Sequence, residues 1–576
     1  MSKPDLILLH APANLDFREK PIIYGPISDV IPSTPIFEMY PIGFVSIASH
    51  LERNGIEVRI INIASRMLKD PAFDVTNFVS KLDAVAFGID LHWLPHVSGA
   101  LELAKIIKRS HPLTPVIFGG LSSTYFHQEL IEYPFVDFVV RGDSTEPVVL
   151  QLMQKIKNGG TFEEIPNLTW KDRQGTPHFN PITNVPEDLN GINLDYSYPV
   201  RSVLRYKDLV GILPFKNFTD YPITMSLSCR GCTMDCVTCG GSQYAYRNMC
   251  NRDKPAYRDP ELIVKDILSA QRFFKGPVFI IGDPLQKSED YASRLLSSLE
   301  KAKIKNPLVV EFFLPPPADF FVRLSKAVPA YNVQFSVESH DEEIRRAFGK
   351  GYSNKALEET IKNALENGCQ RFDLFFMTGL GKQNYASVLD TARYCDRLLK
   401  EFGKFGGRLH PMISPLAPFI DPGSKVYENP AKYGYKLYCQ DLESHCRALH
   451  APSWKYMMSY ETEWMNRDEI VESTYDASLM LNQSKKELKI ISGDQADSID
   501  AQCKEALDLI HRVDKAVAEH GIDFDRDKVM SISVSTSHLN SETMCPKKEL
   551  EWPASSIIKS TPKILWSLLP WGNGHS

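Results

Sequence analysis

Four of the chain's 11 cysteines fall within eleven residues, in the stretch Ser228-Cys229-Arg230-Gly231-Cys232-Thr233-Met234-Asp235-Cys236-Val237-Thr238-Cys239-Gly240-Gly241. Cys232, Cys236 and Cys239 are spaced C-x3-C-x2-C, too tightly for all of them to share one buried face. Three thiolates on a single compact loop are soft ligands for iron or zinc. Gly231 before the set and Gly240-Gly241 after it favour a loop over a helix or strand. A structural zinc site closes with four protein ligands, and Cys229, in C-x2-C spacing with Cys232, would complete such a set.

The elements around this loop narrow the chemistry. An apolar-alternating strand over residues 223–227 leads into Gly-Cys-x3-Cys-x2-Cys. That combination closely resembles the signature of radical S-adenosylmethionine (SAM) enzymes. The resemblance implies that Cys232, Cys236 and Cys239 hold a [4Fe-4S] cluster, with one iron left open to the amino and carboxylate groups of SAM. One electron from the cluster then cleaves the sulfonium and yields a 5'-deoxyadenosyl radical. A fourth protein ligand would block the open iron, so Cys229 is expected to be a neighbour and not a ligand. The position before the last cysteine, often aromatic in that family, is Thr238 here.

Downstream, strand and helix signals alternate. Strands are expected at 278–281, 308–313, 333–337, 372–377 and 408–413, with helices at 260–274, 288–301, 318–326, 356–367 and 386–402. With the strand before the cysteines these suit a partial (β/α)6 barrel, in which chemistry belongs at the carboxyl ends of the strands. Gly282-Asp283 stands at one such end. Ser336-Val337-Glu338-Ser339, followed by Lys350-Gly351, resembles the family's Gly-x-Glu-Ser strand and Lys-Gly turn, with Ser336 in the glycine's place. Phe376 to Gly381 resembles its Phe-x-x-Gly-x-Pro-Gly turn without the proline. The resemblance implies SAM contacts at Gly282, Asp283, Ser336 and Glu338. As bare residues, Asp283 and Glu338 serve equally well as a helix cap and a barrel ion pair.

Ahead of this core lies a second alternating region. Leu6-Ile7-Leu8-Leu9 reads as a buried parallel strand. A helix at 41–54, strands at 57–61, 83–89, 115–118 and 135–140, and a helix at 97–108 complete a doubly wound, Rossmann-like (flavodoxin-like) sheet. Ligands of such sheets bind beyond the strands' carboxyl ends, at the switch point. Tyr40-Pro41-Ile42-Gly43, the 27 residues between Leu91 and Gly119-Gly120, and Val136-Asp137 to Arg141-Gly142-Asp143-Ser144-Thr145-Glu146 resemble three motifs of the cobalamin-binding domain found ahead of many radical SAM cores. The resemblance implies cobalamin contacts at Pro41, Gly43, Leu91, His92, Gly119, Gly120, Gly142 and Glu146. At the glycine pair, missing side chains would let the flat nucleotide tail lie against the backbone. The loop His10-Ala11-Pro12-Ala13-Asn14-Leu15 lacks the Asp-x-His-x-x-Gly whose histidine ligates cobalt, so cobalt without that lower ligand is implied. His92 and His96 follow the third strand and are candidates to face the corrin, although histidines there also cap helices. A flavodoxin-like domain without a ligand is the plain alternative for the region.

Composition sets the outer bounds. At 576 residues the chain suggests about two to four domains. The reading is a cobalamin-binding domain at 1–160, a linker with one hairpin at 161–220, a radical SAM core at 221–415 and a mainly helical, substrate-related domain at 416–576. The linker's tight turn falls at Gln174-Gly175, among many Pro, Asn, Asp and Gly residues. Helices are expected at 437–449, 463–482 and 501–519, and the aromatic stripe from Trp454 to Trp464 is expected to be core or interdomain packing, with the lining of a substrate pocket as the alternative. The apolar tail at 557–571 is broken by Pro562 and Pro570 and is too short to span a bilayer. A net charge of −6 argues against a dedicated nucleic-acid binder. An odd cysteine count, no signal-peptide pattern and no run of about 20 apolar residues lead to a cytoplasmic expectation.

The resemblances together imply a cobalamin-dependent radical SAM enzyme, most readily a methyltransferase acting on an unactivated carbon that has no lone pair with which to attack SAM. A non-methylating radical rearrangement or oxidation, and a zinc- or cobalamin-binding module without catalysis, are the rivals. The implied partners are a small-molecule, lipid or peptide substrate and an electron donor such as flavodoxin or ferredoxin.

Overall fold

The computed structural model describes residues 3–19, 22–28, 34, 36–416, 418–521 and 551–552. The apolar tail and Cys545 lie outside the described residues.

The first sheet is built on β1 (Leu6–His10), every residue of which is buried. Neighbours on both sides explain why this strand is an unbroken apolar run. Strands β2 (Val58–Asn62), β3 (Ala86–Asp90), β4 (Val116–Gly119) and β5 (Phe138–Val140) complete a parallel sheet in the order β2-β1-β3-β4-β5. The order reverses between β1 and β3, which places the switch point there. The linker hairpin is not independent of this sheet. Its strands β6 (Leu168–Lys171) and β7 (Pro177–Phe179) add antiparallel to β5, giving seven strands, so the first sheet runs on to residue 179. Asp172 Oδ1 shapes the turn by accepting the Gln174 and Thr176 N–H groups at 2.9 Å each.

The rest of the linker is more ordered than its turn-rich sequence indicated. Helices Ser197–Tyr206 and Leu209–Ile212 pack between the first sheet and the next domain, and the Asp208 side chain caps the second by accepting the Gly211 N–H. Pro199 sits in the first turn of its helix, where no N–H is needed.

The second sheet holds β8 (Thr224–Leu227), β11 (Val278–Ile281), β12 (Leu308–Phe312), β13 (Tyr331–Glu338), β14 (Arg371–Thr378) and β15 (Leu409–Pro415), all parallel and paired in chain order. The short strands β9 (Cys229–Arg230) and β10 (Ala256–Tyr257) form a separate antiparallel pair beside β8. Helices between successive strands cover the outer face, with side-chain caps at Ser288, Asp341, Ser353 and Asn384. The order β8 to β15 without pairing of the two ends is a half-open (β/α)6 barrel.

The C-terminal region is mainly helical, with helices Leu442–Leu449, Arg467–Glu487 and Gly493–His520. It also holds a strand pair, β16 (Tyr435–Leu437) with β17 (Tyr460–Thr462), which the sequence reading did not include, and the helix expected from 437 begins at Leu442. Within the aromatic stripe Trp454, Met457, Met458 and Tyr460 are wholly buried, as expected of core. Trp454 lies beneath the N-terminal loop at Gly25, where a Cβ would stand 2.2 Å from its ring. Residues 551–552 return to the amino end of the barrel. The Trp552 N–H donates to the Tyr221 hydroxyl and its indole N–H to Asp373 Oδ2, both at 2.9 Å.

Candidate active site

The cysteine loop leaves the carboxyl end of β8. Cys229 stands at the head of the loop, in β9. It pairs there with Tyr257, is 7% exposed, and packs against Gly282, whose Cβ would stand 2.6 Å from its Sγ. Gly282 has φ +92°, so both the backbone angle and the close approach require glycine. Cys232, Cys236 and Cys239 lie beyond, on the loop itself. The Met234 N–H donates to Cys232 Sγ and the Gly241 N–H to Cys239 Sγ, each at 3.3 Å, and Gln286 Nε2 also reaches Cys232 Sγ at 3.3 Å. The loop is held from behind by the Val237 N–H to Phe348 O bond at 2.9 Å and the Gly240 N–H to Asp421 Oδ2 bond at 2.9 Å.

Burial pushes the Cys236 thiol up to about 12 and the Cys239 thiol well above its usual range, so metal loading must displace protons here. Among the described residues no three His, Cys, Asp or Glu side chains converge on a single ion. Three cysteines on one short loop are soft donors whose chemistry fits an iron–sulfur cluster, one thiolate to each of three irons.

The barrel mouth faces this loop with charged groups. Asp283 follows Gly282, is 2% exposed, and accepts the Leu285 N–H at 2.9 Å and the Phe313 N–H at 3.3 Å. Burial, with the neighbouring Glu311 charge adding to it, raises its carboxyl to about 7. Glu311, on β12, accepts the Gly282 N–H, and burial raises it to about 7 as well. Glu338 closes β13 at a bulge, with φ +69°. A left-handed backbone at a non-glycine residue is strain held in place by its surroundings, a recurrent feature of functional sites. Its Oε1 binds Lys350 Nζ, while Oε2 is buried without a hydrogen-bond partner. Lys350 Nζ also donates to Ser336 O at 2.7 Å. Asp283 thus caps a turn and Glu338 forms a barrel ion pair. One oxygen of Glu338 still points at no protein donor.

At the edge of the first sheet, the two glycines after β4 have different reasons. At Gly120 (φ +117°) a Cβ would meet His92 N at 2.6 Å, so the close approach of the Leu91-His92 backbone, and not room for a ligand, demands glycine. At Gly119 the nearest atom to a Cβ is Val140 O at 3.9 Å, which leaves open space. Leu91 N–H donates to Gly119 O at 2.8 Å, fixing this loop pair. His10 and His96 are buried, each within hydrogen-bond distance of Phe37 O through Nε2 (3.1 and 2.8 Å), and His10 Nδ1 donates to Asp90 Oδ1 at 2.9 Å. Burial holds His96 down at about 4, while the Asp90 charge keeps His10 above its usual value against that same burial. His92 is half-buried beside exposed Trp93. Pro41 and Gly43 open helix Gly43–Arg53, next to an apolar cavity of about 250 Å³ lined by Tyr40, Ile42, Val45, Ile223 and others.

Gly142 and Glu146 serve the junction between domains. Gly142 (φ +101°) donates its N–H to Thr124 Oγ1 at 2.9 Å. Both carboxylate oxygens of Glu146 are taken by Arg230 of the cysteine loop, at 2.6 and 3.0 Å, and the Ser46 hydroxyl donates to one of them at 2.6 Å. The Arg230 guanidinium outweighs burial and holds this carboxyl at about 2.

Two family models match the chain: the B12 binding domain over residues 30–150 and the radical SAM superfamily over residues 226–395. The matches cover the first sheet and the barrel with its cysteine loop. This chain belongs to the radical SAM proteins that carry a B12-binding domain. Cytidylyl-2-hydroxyethylphosphonate methyltransferase of Streptomyces wedmorensis is 21% identical over 336 residues, 52% of this chain and 61% of that protein. The matched region thus spans about three fifths of that relative's length. Among solved structures, the radical SAM methyltransferase TsrM of Kitasatospora setae, with tryptophan substrate and a SAM analogue bound, aligns with TM-score 0.53 and 16% identity over 76% of this chain and 79% of that one. The cobalamin-dependent SAM radical enzyme OxsB, with aqua-cobalamin and SAM bound, aligns with TM-score 0.53 and 11% identity over 98% of this chain and 79% of that one. At such identities the likeness is one of fold.

In this B12-binding radical SAM protein the barrel mouth brings together Gly282, Asp283, Ser336 and Glu338 with the cysteine loop. Glu311 and Asp421 belong to the same neighbourhood and were not anticipated. Glu311 had a signal, a lone acid in the apolar run Leu308–Phe312; Asp421 had none, because its place beside Gly240 depends on packing. Among the described residues no helix is long and apolar enough to cross a membrane.

Proposed function

We propose that this protein is a cobalamin-dependent radical SAM methyltransferase acting on an unactivated carbon of a small-molecule, lipid or peptide substrate. The observation that carries the reading is the cysteine loop. Cys232, Cys236 and Cys239 share one short loop, with Cys229 set apart from it in β9, opposite a barrel mouth whose Glu338 keeps one buried oxygen unpartnered. In this reading Cys232, Cys236 and Cys239 hold a [4Fe-4S] cluster, Gly282, Asp283, Ser336 and Glu338 hold SAM, and Pro41, Gly43, Leu91, His92, Gly119 and Gly120 line the cobalamin site. When bound, the cluster supplies the electron that cleaves SAM and cobalamin supplies a carrier for the methyl group.

The chain's own residues bind, orient and exclude water. The N–H groups of Met234 and Gly241 stabilise thiolate charge on Cys232 and Cys239. Lys350 neutralises one oxygen of Glu338 and leaves the other to accept from the ammonium or ribose of SAM. Asp283, held near neutrality by burial, becomes fully charged when a cation arrives beside it. Gly142 and Glu146, engaged by Thr124, Ser46 and Arg230, brace the sheet edge at which cobalamin would lie. An electron donor such as flavodoxin or ferredoxin is the implied partner.

Methyl-labelled SAM tests the reading. Labelled product accompanied by 5'-deoxyadenosine is expected; 5'-deoxyadenosine with no label in product would make the protein a radical enzyme of another kind.

A further inference from the structure

Two arginines bracket the glycine at the head of the cysteine loop, and one short segment of the B12-binding domain holds both. Arg230 donates to Glu146 Oε1 at 2.6 Å and Oε2 at 3.0 Å. Arg252 lies against Gly231, whose Cβ would stand 3.0 Å from Arg252 Cδ. Arg252 Nε donates to Asp143 Oδ2 at 2.8 Å, Nη2 to Ser144 Oγ at 3.3 Å and Nη1 to Pro186 O at 2.9 Å. The four charged side chains are between 3% and 13% exposed.

Asp143 and Glu146 stand just past β5, on the carboxyl edge of the first sheet, and Gly142 pins that turn to Thr124 at 2.9 Å. On the other side, Cys232 directly follows Gly231. A short path of buried, charge-assisted bonds therefore links the edge of the B12-binding sheet to the first cysteine of the motif. Buried ion pairs add little to stability compared with apolar packing of the same shape. The forked Glu146–Arg230 pair, and the Arg252 guanidinium spread over Asp143, Ser144 and Pro186, do fix direction and distance, which a greasy junction does not.

We infer that Glu146–Arg230 and Asp143–Arg252 are positioning pairs that set the separation between the cluster on Cys232, Cys236 and Cys239 and cobalamin on the edge of the first sheet. The inference rests on the proposed reading that both groups bind. It gives Glu146 and Asp143 the work of aligning two domains, with no contact to either group.

The full chain, reconstituted anaerobically with iron and sulfide and loaded with hydroxocobalamin, provides the test. After reduction, Co(II) and the cluster each carry an unpaired spin, and pulsed electron paramagnetic resonance reads the dipolar interaction between them. The wild type is expected to give a single defined distance. Glu146→Gln, Arg230→Lys and Asp143→Asn are expected to lose that single distance while keeping wild-type iron, sulfide and cobalamin contents. Arg230→Lys keeps the charge and loses the fork, so it separates alignment from mere neutralisation, and with Asp143→Asn it carries the test should Glu146→Gln fail to fold. Loaded variants that retain the wild-type distance overturn this inference alone. A wild-type chain that takes up neither group overturns the reading beneath it, and the inference with it.

Discussion

Asp283→Asn is expected to make the cluster-free chain more stable in alkali and poorer at its task. Asp283 is 2% exposed and its carboxyl is raised from 3.8 to about 7, chiefly by burial. A carboxyl raised on folding favours the native state most below its unfolded value; stability is then lost as pH climbs from about 4 through about 7. The full loss across that window is roughly 4 kcal/mol, at 1.36 kcal/mol per pH unit. Asparagine keeps the shape and removes the charge. It still accepts the Leu285 N–H but loses the longer bond from Phe313, a cost of about 1 kcal/mol. The net gain is about 3 kcal/mol at about pH 9, and the balance reverses to a small loss below about pH 4. For a unit the size of the barrel this corresponds to a rise in Tm on the order of 5–10 °C at about pH 9. Thermal unfolding of wild type and variant, followed by circular dichroism at about pH 4, 6 and 9, reads the difference directly. A shift independent of pH, or a variant less stable than wild type at about pH 9, would refute the burial argument. The same substitution is expected to weaken SAM binding, since a site that strains the empty protein is often the one that serves its ligand.

Cys229→Ser is expected to keep the iron and sulfide content of the wild type, because its sulfur packs on Gly282 and lies in the core. Lys350→Met strands the Glu338 carboxylate, and urea unfolding is expected to show a loss of about 3–5 kcal/mol together with loss of SAM cleavage. Trp552→Ala empties the seat formed by Tyr221, Phe279 and Asp373, and is expected to cost about 3–5 kcal/mol in the same assay.

Much of the fold was written in local pattern. The apolar run Leu6–His10, the alternation of strands and helices, and the spacing of Cys232, Cys236 and Cys239 are short-range signals, and each led to the observed element. The Asp172 turn was equally legible, yet its hairpin gave no sign that it would join the first sheet, because edge pairing with β5 is decided by distant residues. The helix Ser197–Tyr206 was hidden among turn-forming residues that surround it on both sides. In the site, glycine and acid positions at strand ends were visible, whereas their partners were not. Arg230 and Glu146 are 84 residues apart, Arg252 and Asp143 are 109 apart, and Trp552 finds Tyr221 across 331. Nothing in a linear pattern couples such pairs. For that reason the bonds from Arg230 and Ser46 to the Glu146 carboxylate were not legible in the sequence.

Iron and acid-labile sulfide, counted on anaerobically reconstituted full-length protein and on Cys236→Ala beside it, bear most directly on what the cysteine loop is for. About four of each per wild-type chain, lost in Cys236→Ala, with 5'-deoxyadenosine released from SAM on reduction, is the predicted result. Zinc bound by four sulfurs including Cys229, or iron bound without any cleavage of SAM, would contradict it.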